Sequence, residues 1–242
     1  MRGASQQEPA YVIHRRPYRD TSLMVDLFTL NHGRMTVVAR GANSPRSPLK
    51  AQLQPFQPLL LDWQGRGDLK TLTQAETRHG PALTRTTAMY SGLYLNEVLQ
   101  RLLPAGDPHP DLFAAYIEAV SALAESADVE PVLRRFEMAF AEAMGLGFAW
   151  DRTTDTGADV MPGELYCYDP EQGLVRVPGV GLHLSALPGE TLLAIAAGDL
   201  ESVACRRLAK RVMRILIDYL LQGRPLHSRT LFSHGRGEPH EP

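Results

Sequence analysis

The hydrophobic pattern changes period once, at Pro81, and that switch restricts the chain more than any other feature. Before it, apolar residues come in short β-prone runs with turn signals about every 10–15 residues. Tyr11-Val12-Ile13-His14 is the first run. Leu23 to Thr29 is the second, with Val25 and Leu27 alternating against Asp26. Asn31-His32-Gly33 reads as a turn, because Gly33 has no Cβ and takes positive φ freely. Met35 to Arg40 returns, and Phe56 to Trp63 is a fourth run. Gly65-Arg66-Gly67-Asp68 makes a tight turn, and Leu69 to Thr73 pairs back. Strands in this rhythm predict a small closed or nearly closed barrel.

After Pro81 the spacing is helical. Thr87 to Leu103 carries Met89, Leu93, Leu99 and Leu102 on one side, with Glu97 and Arg101 four residues apart. Pro104 ends it, and Asp107-Pro108-His109-Pro110 is a rigid connector. Asp111 to Ser126 shows a wide apolar stripe: Leu112, Phe113, Tyr116, Ile117, Val120 and Leu123. Pro131 opens a third helix, which turns Leu133, Phe136, Phe140 and Met144 inward and stops at Gly145. A fourth runs from Glu201 to Leu221. Leu208, Val212, Ile215, Leu216 and Tyr219 make one face, opposite Arg206, Arg207, Lys210, Arg211 and Arg214, and Gly223 and Pro225 terminate it. Residues 150–190 are rich in Gly, Pro and Asp. Their β fragments at Leu165 to Tyr168 and Gly173 to Val177 predict one hairpin. The tail from Ser233 has no apolar side chain beyond proline and is expected to be disordered. The predicted fold class is α+β. A barrel spans 1–80, a mostly helical domain spans 81–232 with an irregular excursion at 150–190, and the tail covers 233–242. An oligonucleotide-binding barrel and an SH3-like barrel both satisfy the N-terminal pattern.

A chain of 242 residues buries roughly 70–75% of its unfolded surface and needs neither disulfide nor metal to fold. Two cysteines, Cys167 and Cys205, cannot supply a four-thiolate zinc site, and they fit a reducing cytoplasm. The opening MRGASQQEPAY lacks the apolar core of a signal peptide. The longest apolar runs, Leu59 to Leu61 and Arg214 to Leu221, fall short of the ~20 residues of a membrane span. A soluble cytoplasmic protein without membrane contact is expected. Net charge is −2, but it is unevenly spread. Residues 1–80 hold 11 Lys/Arg against 6 Asp/Glu, and residues 81–242 hold 14 against 21. The basic first third calls for an anionic partner.

Catalytic constellations are missing from the sequence. There is no GxxxxGK[ST] loop and no GxSxG elbow. Gly179-Val180-Gly181 is too short for a dinucleotide fingerprint. Cys167, between two tyrosines, reads as a packed residue rather than a nucleophile. His234 and His240 lie in the tail, and the carboxylates Glu137/Glu142 and Asp151/Asp155/Asp159 lack a second element at ligand spacing. No enzyme, cofactor or metal is expected.

Three basic groups carry the anion-binding expectation. One is His14-Arg15-Arg16 with Arg19. The second is Arg34 to Lys50, where a β run passes into a loop with Arg34, Arg40, Arg46 and Lys50 and no acid. The third is the helix from Arg206 to Arg214. The first two lie on the predicted barrel near Tyr11, Tyr18, Phe28, Phe56 and Trp63. Exposed rings stack bases at about 1–3 kcal/mol each, and Tyr18, beside Pro17, is the best exposed candidate.

With these residues in view, the chain resembles the RecO family of bacterial recombination mediators. The segment RPYRDTSLMVDLFTLNHGRMTVVARGANSPRSPLKAQLQPFQPLLL is similar to the family's N-terminal barrel. YSGLYLNEVLQRLLP, DLFAAY and VLRRFEMAF are similar to its helical domain, and GRPLHSRTLF to its C-terminal end. The resemblance implies an oligonucleotide-binding barrel followed by a helical domain. It implies binding of single- and double-stranded DNA, annealing of complementary strands, and loading of recombinase onto DNA coated with single-strand-binding protein. It implies as partners RecR and the acidic C-terminal tail of the single-strand-binding protein, and a place in the cytoplasm on the nucleoid. Many members carry a four-cysteine zinc module. Here TTDTGADVMPGELYCYD keeps Cys167 alone, so no metal is expected.

The DNA contacts expected are Arg15, Arg16, Arg19, Arg34, Arg40, Arg46 and Lys50, with Arg207, Lys210, Arg211 and Arg214 on the last helix. A peptide ending in acids and an aromatic needs a hydrophobic groove flanked by guanidinium. Leu133, Arg134, Arg135 and Phe136, with Arg101, are the candidates. The alternative for the two neighbouring arginines is pairing with Glu130 or Glu137. For the whole chain, the alternatives are a protein adaptor with incidental DNA contact and a hydrolase hidden in residues 150–190.

Overall fold

The computed structural model describes residues 5–65, 67, 69–176 and 184–234. Arg66 and Asp68 of the expected turn, Val177, Gly179-Val180-Gly181 and the tail from 235 lie outside the described residues. Two compact units emerge: Met1–Ala127 with Leu226–Pro242, and Asp128–Pro225. The division falls away from the change of period at Pro81, because two helices beyond Pro81 stay with the barrel.

In the first unit, β1 (Ser5–Tyr18), β2 (Ser22–Thr29), β3 (Gly33–Ala39), β4 (Leu59–Gln64) and β5 (Lys70–Thr77) close in the order β1-β2-β3-β5-β4. A parallel pairing, Val37 opposite Lys70, joins β3 to β5. Pro9 opposite Leu60 joins β1 to β4. A short helix, α1 (Pro48–Gln52), sits between β3 and β4. This is a five-stranded oligonucleotide-binding barrel. Alternation sends Val12, Val25, Leu27, Val37, Leu59, Leu61, Trp63 and Leu72 to the inside. Helix α1 lies in a stretch whose pattern suggested only a basic loop, since five residues give no readable helical period.

Tyr11 and Phe28 point to the other face of the wall. There they meet α2 (Thr86–Leu102) and α3 (Pro110–Glu125). Tyr11 lies 5.0 Å from the Tyr116 ring and Phe28 5.2 Å from Phe113, centroid to centroid, both edge-on. The Tyr116 hydroxyl donates to Asn96 Oδ1 at 2.7 Å, and burial pushes its pKa above the ordinary phenol value. A Cβ on Gly92 would stand 2.7 Å from the Phe56 ring, so the bare backbone of α2 lets that ring approach. At the β2–β3 turn, Gly33 has φ +63°, and a Cβ there would lie 2.0 Å from the Asp107 carbonyl oxygen.

The chain rejoins this unit through α7 (Ser228–His234). The Glu97 carboxylate on α2 receives the backbone N–H of His227 at 2.8 Å and of Ser228 at 2.7 Å, and so caps α7.

The second unit holds α4 (Glu130–Ala143), α5 (Gly189–Ala196) and α6 (Val203–Leu220). Its three strands, β6 (Leu165–Asp169), β7 (Gly173–Val175) and β8 (Leu184–Pro188), line up as β7-β6-β8. The expected hairpin is thus a three-stranded sheet, the third strand being too short to announce itself. Its core joins Tyr166, Tyr168, Leu174 and Leu187 to Leu192, Leu208, Val212 and Leu216. Met89, Ile117 and Tyr219, read as parts of apolar stripes, are exposed instead. Each stripe is wider than the surface packed on it, and the Tyr219 hydroxyl reaches out to Glu171 at 3.0 Å. Among the described residues no helix is long and apolar enough to cross a membrane.

Burial works to raise the Glu97 pKa. Hydrogen bonds from Ser228, His227 and Arg101 outweigh it and hold the carboxyl below its ordinary value. A lowered native value means that the cap contributes fully above the ordinary carboxylate range and is lost as pH falls through the native pKa. Glu97→Gln should speed amide exchange across residues 226–234 at neutral pH while barrel amides keep their protection. The wild-type segment should match it only in acid. Unchanged exchange in the variant would show that the carboxylate does not hold α7.

Candidate nucleic-acid interface

One end of the barrel gathers most of the basic residues of the first two groups. Tyr18 opposes Ser22 across the β1–β2 turn, and Leu23 opposes Ala39 where β3 ends. The loop after β3 folds onto that turn, with the Asn43 N–H donating to the Thr21 carbonyl at 2.8 Å. This places Arg16, Arg19, Arg40, Arg46 and Lys50 around one rim, all exposed. Among the described residues Arg19, Arg40, Arg46 and Lys50 make no ion pair. Arg19 has φ +53° and lays its guanidinium over the Tyr18 ring, 5.2 Å from the centroid. Arg16 is partly held, 3.6 Å from the buried Asp26. That carboxylate also accepts from Thr36 at 2.6 Å and Gln100 at 3.1 Å, with His14 at 3.4 Å.

Two expected contacts are committed to the fold. Arg15 donates to the Lys50 carbonyl at 3.1 Å, the Leu53 carbonyl at 3.0 Å and Gln54 Oε1 at 2.9 Å. It thereby ties down the C-terminal end of α1, where carbonyls lack intrahelical partners. Arg34 Nε donates to the Leu103 carbonyl at 2.6 Å, and the Arg34 carbonyl accepts from the Gly106 N–H at 2.9 Å. It clamps β3 to the α2–α3 loop beside Gly33. The rings divide similarly. Tyr11, Phe28 and Trp63 are buried, Phe56 packs on α2, and Tyr18 remains half-exposed at the rim.

The third group lies on α6 in the second unit. Arg206 pairs with Asp128, and Lys210 with Glu130 at 2.6 Å, which joins α6 to the start of α4. Arg207, Arg211 and Arg214 project outward, the last 3.7 Å from Asp218. Glu130, Val203, Arg206, Arg207 and Lys210 line a shallow groove of about 350 Å³, and Val203 is 55% exposed there. The pattern around Arg206 did not single out Val203, because a lone apolar residue at a helix start carries no periodic signal.

The peptide-binding candidates separate sharply. Leu133, Arg134 and Phe136 are buried, Arg134 at 4% exposure. Its guanidinium donates to Glu137 at 2.6 Å and stands 3.8 Å from Glu130, the pairing that the sequence offered as the alternative. Arg135 is exposed, 3.7 Å from Glu201. Arg101 is half-buried and 3.4 Å from Glu97.

Cys167 and Cys205 are buried free thiols, and burial pushes the Cys205 thiol up. Among the described residues no group of three His, Cys, Asp or Glu could hold a metal ion. The strand bearing Cys167 is held by packing: Tyr168 lies 5.0 Å from Phe148, which lies 4.8 Å from Trp150.

If Arg15 and Arg34 serve the fold, Arg15→Met and Arg34→Met should each lower unfolding free energy by about 1–3 kcal/mol, since the partly buried carbonyls of Leu53 and Leu103 lose these donors. Arg40→Met should stay within roughly 0.5 kcal/mol, as for an exposed residue without partners. Equilibrium denaturation in urea decides, and equal stability of all three would remove the distinction.

Comparison with known proteins adds the following. Residues 1–81 match the family described as Recombination protein O N terminal, and residues 83–230 match Recombination protein O C terminal. The chain is 66% identical over 237 residues to the DNA repair protein RecO of Marinobacter nauticus, covering 97% of this chain and 96% of that protein. It is 44% identical over 225 residues to the DNA repair protein RecO of Aromatoleum aromaticum, covering 93% and 94%. It is 44% identical over 223 residues to that of Methylococcus capsulatus, covering 92% and 91%.

Proposed function

The chain belongs to the RecO family of DNA repair proteins, and from that premise we propose that it is a non-catalytic recombination mediator which grips DNA at one end of its barrel. It binds single- and double-stranded DNA, anneals complementary strands and helps load recombinase onto DNA coated with single-strand-binding protein. It works in the cytoplasm, on the nucleoid.

The supporting observation is the rim of exposed cations, Arg16, Arg19, Arg40, Arg46 and Lys50, joined by the hydrogen bond from Asn43 to Thr21. Barrels of this type take nucleic acid on the face of strands 2 and 3 and on the loops around it. Here Phe28 and Asp26 of that face are engaged by α3 and α2. The loops of the rim are left to hold phosphates, with Tyr18 within reach of a base. Phosphate contact without base-edge readout gives sequence-independent binding, as annealing any pair of strands requires.

RecR, recombinase and the tail of the single-strand-binding protein are the protein partners in this reading. For the tail, Val203 offers an apolar seat beside Arg206, Arg207 and Lys210, with Arg135 also on this unit. The buried Arg134 stands 3.8 Å from Glu130, which lines that groove.

About five rim cations on single-stranded DNA should give log Kobs against log salt a slope of roughly −3.5. Arg40→Glu/Arg46→Glu/Lys50→Glu should lose most of the affinity for an oligothymidine and keep its melting temperature. A flat salt response, or unchanged affinity of the variant, would remove the barrel rim as the site. Capture of an acidic tail peptide with no oligonucleotide shift at physiological salt would favour a protein adaptor instead.

A further inference from the structure

The second unit carries 10 Lys/Arg against 14 Asp/Glu, yet half of those cations lie on α6, whose one acid is Asp218. The apolar face of α6 is fixed: Leu208, Ala209, Val212, Met213, Leu216 and Ile217 are buried. The helix cannot roll, so the direction of its cations is set by the core. Two of them, Arg206 and Lys210, are drawn to Asp128 and Glu130. Arg207, Arg211 and Arg214 fall at i, i+4 and i+7, one line spanning about 10 Å of helix axis. All three are exposed, and among the described residues Arg207 and Arg211 make no ion pair. Like charges at these spacings repel and weaken a helix. A row of guanidinium groups kept in spite of that repulsion is relieved by a polyanion laid along it.

We infer that Arg207, Arg211 and Arg214 form a second phosphate-backbone site, which lets one chain hold a second strand while the barrel rim holds the first. A strand fits this row better than an acidic peptide does. Arg207 also lines the groove at Val203, but Arg211 and Arg214 lie outside that lining, and a regularly spaced polyanion needs no apolar seat there. The inference rests on the proposed DNA-binding role of the rim and adds to it. Two strands held on one chain experience each other at high effective concentration, and that raises the rate of pairing without any new contact.

The test uses the full chain and a labelled oligothymidine, with Arg207→Gln/Arg211→Gln/Arg214→Gln beside the rim variant Arg40→Glu/Arg46→Glu/Lys50→Glu. The α6 variant should fold with an equal or higher melting temperature, because repulsion has been removed. It should bind the first oligonucleotide within about threefold of wild type, with oligonucleotide bound per chain at saturation falling by about half. The rim variant should retain weak binding with a salt slope of roughly −2, from three cations, and combining the substitutions should abolish it. Unchanged saturation in the α6 variant overturns the proposal. So does loss of an acidic decapeptide alone with both oligonucleotide readings intact, which would assign the row to a protein tail. A rim variant that binds like wild type overturns the rim assignment, and the saturation of the α6 variant still decides the second site.

Discussion

The contact of Tyr11 and Phe28 with Phe113 and Tyr116 sets the plan of the first unit. A barrel this small has an inside only wide enough for its own side chains. Its outer wall would be polar unless something covered it. Here β1 and β2 turn large rings outward, and α2 and α3 must stay with the barrel to bury them. Edge-on aromatic pairs add about 0.5–1.5 kcal/mol each beyond the area they bury. Once the helices are seated, the rest follows locally. The α2–α3 loop passes so close to the β2–β3 turn that position 33 must be glycine, and Arg34 becomes a clamp. Asp26 is reached by Gln100, and the outer face of β2 is closed to a ligand. The end of the barrel remains, with its exposed side chains and uncompensated charge.

Much of this was legible in the sequence. The alternation of Val25 and Leu27 against Asp26 placed β2, and the switch of period at Pro81 placed the first long helix nearly to the residue. The proline at the first turn of α4 and the glycine after it marked both ends of that helix. Short elements were not legible. Helix α1 and strand β8 are each five residues long, below one clear repeat of any period. The roles of individual arginines were not legible either. Arg15 and Arg40 are alike as letters. They differ because Arg15 opposes Val25 in the register and so points toward α1, whereas Arg40 follows the last rung of β3. A register shift between Val12 and His14 sets that direction for the end of β1, and a bulge of this kind leaves no trace in composition.

Arg134 shows the same limit from the other side. Its neighbours Leu133 and Phe136 suggested a groove, and they are core residues. A buried guanidinium is tolerated only with carboxylates at hand, and the spacings to Glu130 and Glu137 supply them one turn either way. Removing one partner of such a pair strands a charge, and because all three groups lie on α4 the helix itself carries the acids that its buried guanidinium needs. Arg135, one residue on, rotates out of the core and meets Glu201 only at the exposed surface. Adjacent positions on a helix point about a quarter-turn apart, and that rotation alone separates a structural arginine from one open to a ligand.

A net charge of −2 does not conflict with a grip on a polyanion. At physiological salt a charge is felt over about 8 Å, so a phosphate near the barrel rim responds to the side chains around it and not to the total. What counts is which cations are already neutralised by the protein's own acids. On α6 the row facing α4 is spoken for, and in the row beside it, among the described residues, Arg214 alone is met by an acid, Asp218. At the barrel rim Asp26 draws on Arg16, while Arg19, Arg40, Arg46 and Lys50 keep their charge for solvent. Four of the five rim cations are arginines, whose planar fork meets two phosphate oxygens at once and whose weak hydration makes leaving water cheap. In the proposed role, acids elsewhere on the surface would discourage a strand from settling anywhere but on the rows left uncompensated.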